Sequence, residues 1–245
     1  MAMLTKDIED MLDYLNLDVM STSLNTKIRS PEYGSYDPIQ LVREIVSEEF
    51  TCRLNNNFER NLRLAKLKGS HAQIEQLRSG HGRLYQDHII KQLGTLEFIS
   101  DRQNMAIFGE SGVGKTFCSK AFGVEACKHG FRTYFTDFTE LIDTLCIIKL
   151  ENLKQYHKKL LYYSRIQVLI LDDFLITPLD EERSLILFCL MKKRDDLGTT
   201  TIITSQYDPS TWSTFLEEGG SFAMADSIRR RLINNGFTVL IEIAK

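Results

Sequence analysis

Gly109 to Thr116 reads GESGVGKT and fits the phosphate-loop pattern G-x-x-x-x-G-K-[ST] at every fixed position. The apolar run before it, Asn104–Phe108 (NMAIF), suits a buried strand, and Phe117–His129 carries apolar residues at helical spacing up to Gly130. A strand–loop–helix context of this kind predicts a nucleoside triphosphate site. Gly109, Glu110, Ser111, Gly112, Val113 and Gly114 would wrap backbone N–H groups around a phosphate, with the positive end of the following helix behind them. Lys115 is expected to reach the β- and γ-phosphates, and the Thr116 hydroxyl to hold Mg²⁺.

A second group of polar residues is expected to meet the first. Gln167–Leu171 (QVLIL) is an apolar run of strand length that ends on Asp172 and Asp173. A carboxylate at the end of a neighbouring strand can anchor the same Mg²⁺, which assigns Asp172 to the metal and Asp173 to orienting or deprotonating water. The β-branched run Thr199–Thr204 ends in Thr204, Ser205 and Gln206, a polar strand end that could be a plain turn or could let Gln206 sense the γ-phosphate or position water. The segment Asp226–Leu232 (DSIRRRL) sets three arginines side by side. They point in different directions on a helix, so one or two at most can serve one site, as a finger or as a DNA-facing basic turn.

The elements that must position these groups follow from periodicity. Arg132–Thr136 and Phe237–Ile243 complete a set of strands alternating with helices at Phe138–Ile148, Asn152–Tyr163 and Glu181–Lys193, which predicts a parallel sheet covered on both faces. Asp87–Ser100 reads as one helix leading into the first strand. Upstream, Leu4, Ile8, Met11, Leu12 and Leu15 share one helical face, Ser21–Tyr36 reads as a polar break, and Asp37-Pro38 opens a long helix running to about Leu62. The expected organisation is therefore a helical N-terminal domain over 1–69, a linker over 70–84 and a nucleotide-binding α/β domain over 85–245.

Charge is unevenly spread along the 245 residues, whose net charge is −3. Met1–Phe50 holds ten acidic against four basic residues, and Thr51–Gln92 holds eight basic against three acidic. Local patches of this kind are compatible with a nucleic-acid partner. Arg53, Arg60 and Arg63 could track a phosphate backbone or form a solvated helix face. The five cysteines are scattered without a C-x-x-C pair, which points to reduced thiols rather than zinc or disulfides. No apolar run is long enough to span a membrane and the N-terminus lacks signal-peptide character, so a cytoplasmic protein with no membrane partner is expected. The absence of an N-K-x-D segment argues against a GTPase, and the acidic pair without an acceptor pocket argues against a small-molecule kinase.

The run from GESGVGKT through VLILDD to TSQYDPSTW and ADSIRRRLINNG resembles the IstB-like ATPases that assist insertion-sequence transposition, members of the AAA+ class close to DnaC helicase loaders. PLDEE at Pro178–Glu182 and LGTLEFI at Leu93–Ile99 also look like this family, so the resemblance covers nearly the whole chain. It implies an AAA+ P-loop NTPase fold with a five-stranded parallel sheet, the sensor strand lying between the phosphate-loop and acidic strands. A small all-helical N-terminal domain for DNA binding and assembly would precede it. With only fourteen residues after Arg231, no C-terminal lid domain is expected.

By the resemblance, Arg231 matches the arginine finger acting in trans, with Arg229 and Arg230 as alternates, Gln206 matches the sensor, and ATP with Mg²⁺ is the cofactor pair. Asp173 stands where many members carry Glu, Glu110 where Pro is common, and Arg230 where Asp is often found. Lys149, Lys154, Lys158 and Lys159 lie where the initiator and loader branch carries an extra DNA-contacting element. The implied function is an ATP-dependent regulator that assembles as a homo-oligomer on double-stranded DNA and assists a transposase. The alternative is a DnaC-like loader of a replicative helicase.

Overall fold

The computed structural model describes residues 4–80, 82–217, 222–234 and 236–244. Contacts divide the chain into two compact units, Met1–Arg60 and Asn61–Lys245. The expected linker 70–84, whose His81 lies outside the described residues, is not free chain: Ala72 and Leu77 are buried in the core of the second unit.

The first unit holds α1 (Lys6–Tyr14), α2 (Asp18–Ile28) and the start of α3 (Pro38–Leu64), whose last residues belong to the second unit. Asp37 caps α3 as its sequence predicts, its carboxylate accepting the Gln40 N–H at 2.9 Å. The stretch that reads as a polar break instead contains most of α2. Its two threonine hydroxyls bond within the helix, Thr22 donating to the Asp18 carbonyl and Thr26 to the Thr22 carbonyl, so polar composition misleads there. α2 and α3 are clasped by polar contacts. Glu49, buried on α3, accepts the Met20 N–H at 2.9 Å and pairs with Arg53, while Lys27 pairs with Glu44 at 2.7 Å. Ile39, Val42, Val46, Phe50 and Leu54 form an exposed apolar stripe along α3.

In the second unit the order is β1 (Arg83–Leu84), α4 (Asp87–Gly94), α5 (Glu97–Ser100), β2 (Asn104–Phe108), α6 (Lys115–Lys128), β3 (Thr133–Asp137), α7 (Phe138–Glu151), α8 (Leu153–Ser164), β4 (Val168–Asp172), α9 (Glu181–Leu197), β5 (Thr200–Ser205), α10 (Trp212–Glu217), α11 (Phe222–Arg229), a π-turn over Arg230–Asn234, β6 (Gly236–Leu240) and β7 (Glu242–Ile243). The single helix expected over Asp87–Ser100 is two, broken where Leu96 adopts a left-handed backbone with φ 60. The last expected strand is also two. The Ile241 N–H donates to the Phe108 carbonyl at 2.9 Å, after which β7 leaves the sheet and pairs antiparallel with β1.

Five parallel strands lie in the order β3-β4-β5-β2-β6, so the sensor strand β5 runs between the phosphate-loop strand β2 and the acidic strand β4. Alternation along each strand feeds two cores. Met105, Ile107, Val168, Ile170 and Ile202 pack under α4 to α6. Ala106, Phe108, Leu169, Leu171 and Ile203 pack under α7, α8, α9 and α11. Arg194 of α9 is wholly buried and staples one sheet end, donating to the Tyr163 and Ile166 carbonyls at 2.7 and 3.0 Å, to Thr201 Oγ1 at 2.8 Å, and to the Thr200 carbonyl. Burial pulls its pKa down to about 9, which still leaves it charged at neutral pH.

Candidate nucleotide site

β2 ends at Phe108 and the chain turns through backbone conformations that only glycine adopts readily: φ is +154 at Gly109, +79 at Gly112 and +104 at Gly114, the N-cap of α6. At Gly109 space is also decisive, because a Cβ there would stand 2.4 Å from the Ile241 carbonyl oxygen. Val113 is buried and anchors the loop, whereas Glu110, Ser111 and Gly112 face solvent. Lys115 folds back over the loop, its Nζ donating to the Gly109 and Glu110 carbonyls at 2.9 and 2.8 Å. Burial lowers its pKa, against the pull of the nearby Asp173 and Asp172 carboxylates. Thr116 follows on the first turn of the helix, half-buried.

Asp172 closes β4 and is buried; Asp173 comes next with φ 56. Thr204 joins both to the sensor strand. Its hydroxyl donates to Asp172 Oδ1 at 2.6 Å and accepts the Asp173 N–H at 2.9 Å. The Phe174 N–H then donates to the Thr204 carbonyl at 2.7 Å, and Ser205 Oγ donates to the Phe174 carbonyl at 2.9 Å. Desolvation raises the Asp173 pKa and the neighbouring Asp172 raises it further, while Lys115 opposes them. Gln206 stands exposed directly after β5, at the same end of the sheet. Trp212 accounts for the T-S-Q…W spacing. It is fully buried with its ring 6.1 Å from Phe108 and 5.0 Å from Phe174, behind both strand ends.

Lys115, Asp172, Asp173 and Thr204 thus converge at the C-terminal ends of β2, β4 and β5. The arginines do not join them. Arg229 and the more exposed Arg230 both pair with Asp226, at 2.9 and 2.7 Å. Arg231 lies over Phe188 with its Nε 3.2 Å from Asp195. Its carbonyl accepts the Asn104 side-chain N–H at 2.7 Å, at the first residue of β2, while Asn104 Oδ1 accepts the Thr201 N–H at 2.7 Å. Arg231 is therefore fixed at the opposite end of β2 from the phosphate loop, about 13 Å away at roughly 3.3 Å per strand residue.

Of the basic residues, Arg53 is engaged by Glu49, and Arg60 and Arg63 are exposed. Lys149 pairs with Glu182 at 3.3 Å, Lys159 sits over the Tyr162 ring, and Lys154 and Lys158 are exposed on α8. Lys158 shares with Arg132, Arg165, Tyr162, Leu64 and Leu161 a cavity of about 550 Å³. Arg132 and Arg165 escape notice in the sequence because they flank strands far apart in the chain. Arg83 escapes for the same reason: its guanidinium Nη1 would stand 3.2 Å from a Cβ on Gly114.

The strand order, the phosphate loop on β2 and the acidic pair on β4 define a P-loop NTPase of the AAA+ class. Crystal structures of the DnaC helicase loader (20% identical, TM-score 0.56, covering 69% of this chain and 96% of that one) and of DnaI (20%, 0.55, 70% and 91%) share this fold. The profile of the IstB-like ATP binding protein family matches residues 10–243, and the chain belongs to that family. It is 28% identical over 211 residues to a protein of insertion sequence IS1162 from Pseudomonas fluorescens, covering 85% of this chain and 89% of that one. It is 26% identical over 236 residues to one of insertion sequence IS21 from Pseudomonas aeruginosa, covering 96% and 86%. Both relatives are named for ATP binding. No helix among the described residues is long and apolar enough to cross a membrane.

Proposed function

We propose that this protein is a Mg²⁺-dependent ATPase that assembles on double-stranded DNA and assists the transposase of an insertion sequence. Membership of a family whose relatives belong to insertion sequences carries the reading, together with the convergence of Lys115, Asp172, Asp173 and Thr204.

The Thr116 hydroxyl and the Asp172 carboxylate are hard oxygen donors that would hold Mg²⁺, and the ion would supply charge neutralisation at the phosphates. Asp173, made more basic by burial and by Asp172, orients a water and takes its proton as the water oxygen bonds to the γ-phosphorus. The bond from that phosphorus to the β-bridging oxygen breaks, leaving ADP and phosphate. Lys115 leaves its loop carbonyls for the phosphates, and Gln206 reports on the γ-phosphate. Because Arg231 is fixed at the far end of β2, it serves the loop of a neighbouring subunit, and a homo-oligomer is the working form. The exposed α3 stripe supplies apolar surface suited to assembly. Arg53, Arg60, Arg63, Lys149, Lys154, Lys158 and Lys159 neutralise DNA phosphates.

Electron microscopy of the full chain with duplex DNA in ATP, ADP and a non-hydrolysable analogue tests this. Ordered assemblies on DNA with ATP or the analogue, and none with ADP, are expected. Equal assembly in all three refutes the reading. The DnaC-like fold favours a second reading, a loader of a replicative helicase, and co-purification with such a helicase instead of a transposase would select it.

A further inference from the structure

We propose that Arg83 is a second cation of the nucleotide site, supplied in cis and contacting the phosphate chain of the bound nucleotide. This rests on reading Gly109–Thr116 as an ATP site, and it adds a residue from outside every motif of that site.

The position of Arg83 is built, not incidental. The Gly80 and Arg83 N–H groups each donate to the other's carbonyl, at 2.9 and 3.0 Å, closing a tight turn. β1 then pairs with β7, Arg83 opposite Ile243 and Leu84 opposite Glu242, and the Ala244 N–H donates to the Gly82 carbonyl at 3.0 Å. Behind the turn, Ser79 Oγ donates to the Tyr85 carbonyl at 3.1 Å, and Gln86 Oε1 accepts the Leu240 N–H at 3.2 Å. Two segments from opposite ends of the second unit thus form a strap beside the phosphate loop. Its β7 side also brings the Ile241 carbonyl against Gly109.

Charge supplies the second part of the argument. The guanidinium hangs over Gly114, the N-cap of α6, with Nη1, Cζ and Nε 3.2, 3.4 and 3.7 Å from where a Cβ would stand. A helix N-terminus carries partial positive charge and disfavours a cation. Lys115 is the next residue, and the two carboxylates that face it, Asp172 and Asp173, lie on the β4 side. Among the described residues no carboxylate pairs with Arg83 within 4.0 Å. Its polar neighbour is the Tyr85 phenol, whose pKa is raised by burial and drawn back by Arg83. Arg83 has no acid of its own, and its guanidinium joins the phosphate-loop lysine and a helix N-terminus to form a site for an anion of several charges. A guanidinium also matches phosphate oxygens in geometry.

The test is calorimetric binding of ATP, ADP and GTP to the full chain as wild type, Arg83→Gln and Arg83→Lys, with the unfolding midpoint of each nucleotide-free variant measured alongside. Loss of one charge-assisted hydrogen bond should weaken ATP and ADP binding by about 10- to 100-fold in Arg83→Gln. Arg83→Lys should lose less than Arg83→Gln, because a lysine keeps the charge but not the guanidinium fork. The ratio of ATP to GTP affinity should not change. Wild-type affinity in Arg83→Gln overturns the proposal, and with a lowered midpoint it makes Arg83 a brace for Tyr85 and the strap. A loss shared equally by Lys and Gln, with a changed ATP:GTP ratio, also overturns it, since that marks a guanidinium stacked on the base. If the wild type itself binds no ATP, the reading of the loop fails first.

Discussion

Thr204 offers the sharpest test of how the nucleotide-binding end is held together. Its hydroxyl donates to Asp172 and accepts from the Asp173 backbone, and it is fully buried, so no water can replace either bond. Thr204→Val keeps the shape and removes both. It leaves one buried N–H unpaired, at about 1–3 kcal/mol, and strips a carboxylate of a hydrogen bond that contributes about 1.5–3 kcal/mol. The sum is about 2.5–6 kcal/mol. Thr204→Ser retains both bonds and loses one buried methyl, about 1 kcal/mol. With an m-value near 2 kcal/mol/M in urea, the Val variant should unfold at a midpoint lower than the Ser variant by about 0.8–2.5 M. Hydrolysis should fall at least about tenfold in the Val variant, because the Asp173 backbone then loses the bond that orients it. Urea titration followed by circular dichroism measures the first effect and single-turnover phosphate release the second. Midpoints within about 0.3 M of each other would refute the role given to Thr204.

Further outcomes are open to direct measurement. Mixing Lys115→Ala with Arg231→Ala protein should restore part of the ATPase activity that each lacks alone, since one supplies an intact arginine and the other an intact loop; no recovery at any ratio counts against a shared site. Arg194→Leu should destabilise the second unit by about 3–5 kcal/mol in denaturant unfolding, because the Tyr163, Ile166 and Thr200 carbonyls lose their donor; a loss under about 1 kcal/mol would mean that water or the backbone replaces it. In the first unit, Arg53 and then the Met20 N–H hold the Glu49 carboxyl below its ordinary value of 4.5. A depressed folded value gives stability that is present above 4.5 and lost as pH falls through that lower value. Protection of the Met20 amide, corrected for intrinsic exchange, should drop over that window in wild type and stay flat in Glu49→Gln.

What the sequence makes legible is what local pattern encodes. NMAIF is β2 to the residue, because the four residues after Asn104 are buried on both faces of the sheet and must be apolar. The phosphate loop, the acidic pair and the T-S-Q run are contiguous, and each lies at a strand end, so the strand order alone brings them together. Features that depend on distant partners are not legible. α2 reads as a break because its threonines bond within their own helix. The kink at Leu96 rests on a left-handed residue that no glycine announces. The β1–β7 strap joins two-residue strands too short to carry any periodicity, so Arg83 looks like one more base in a basic region.

The direction of the sheet explains why the arginine and the loop of one chain do not meet. Parallel strands put every C-terminal end on one side, so the loop after β2 and the acids after β4 are neighbours by construction. Arg231 precedes β6, and a residue that precedes a parallel strand belongs to the opposite side. The Asn104 side chain fixes it there by taking the Thr201 N–H and giving its own N–H to the Arg231 carbonyl. Asn104 therefore ties the arginine-bearing turn to the first residues of β2 and β5, the two strands whose far ends carry Lys115 and Thr204. One chain presents a loop at one end and an arginine at the other, and that polarity suits a head-to-tail contact, which repeats into a ring or a helical filament. On double-stranded DNA a filament would place successive copies along the duplex, and the γ-phosphate at each junction would then report that a neighbour is in place.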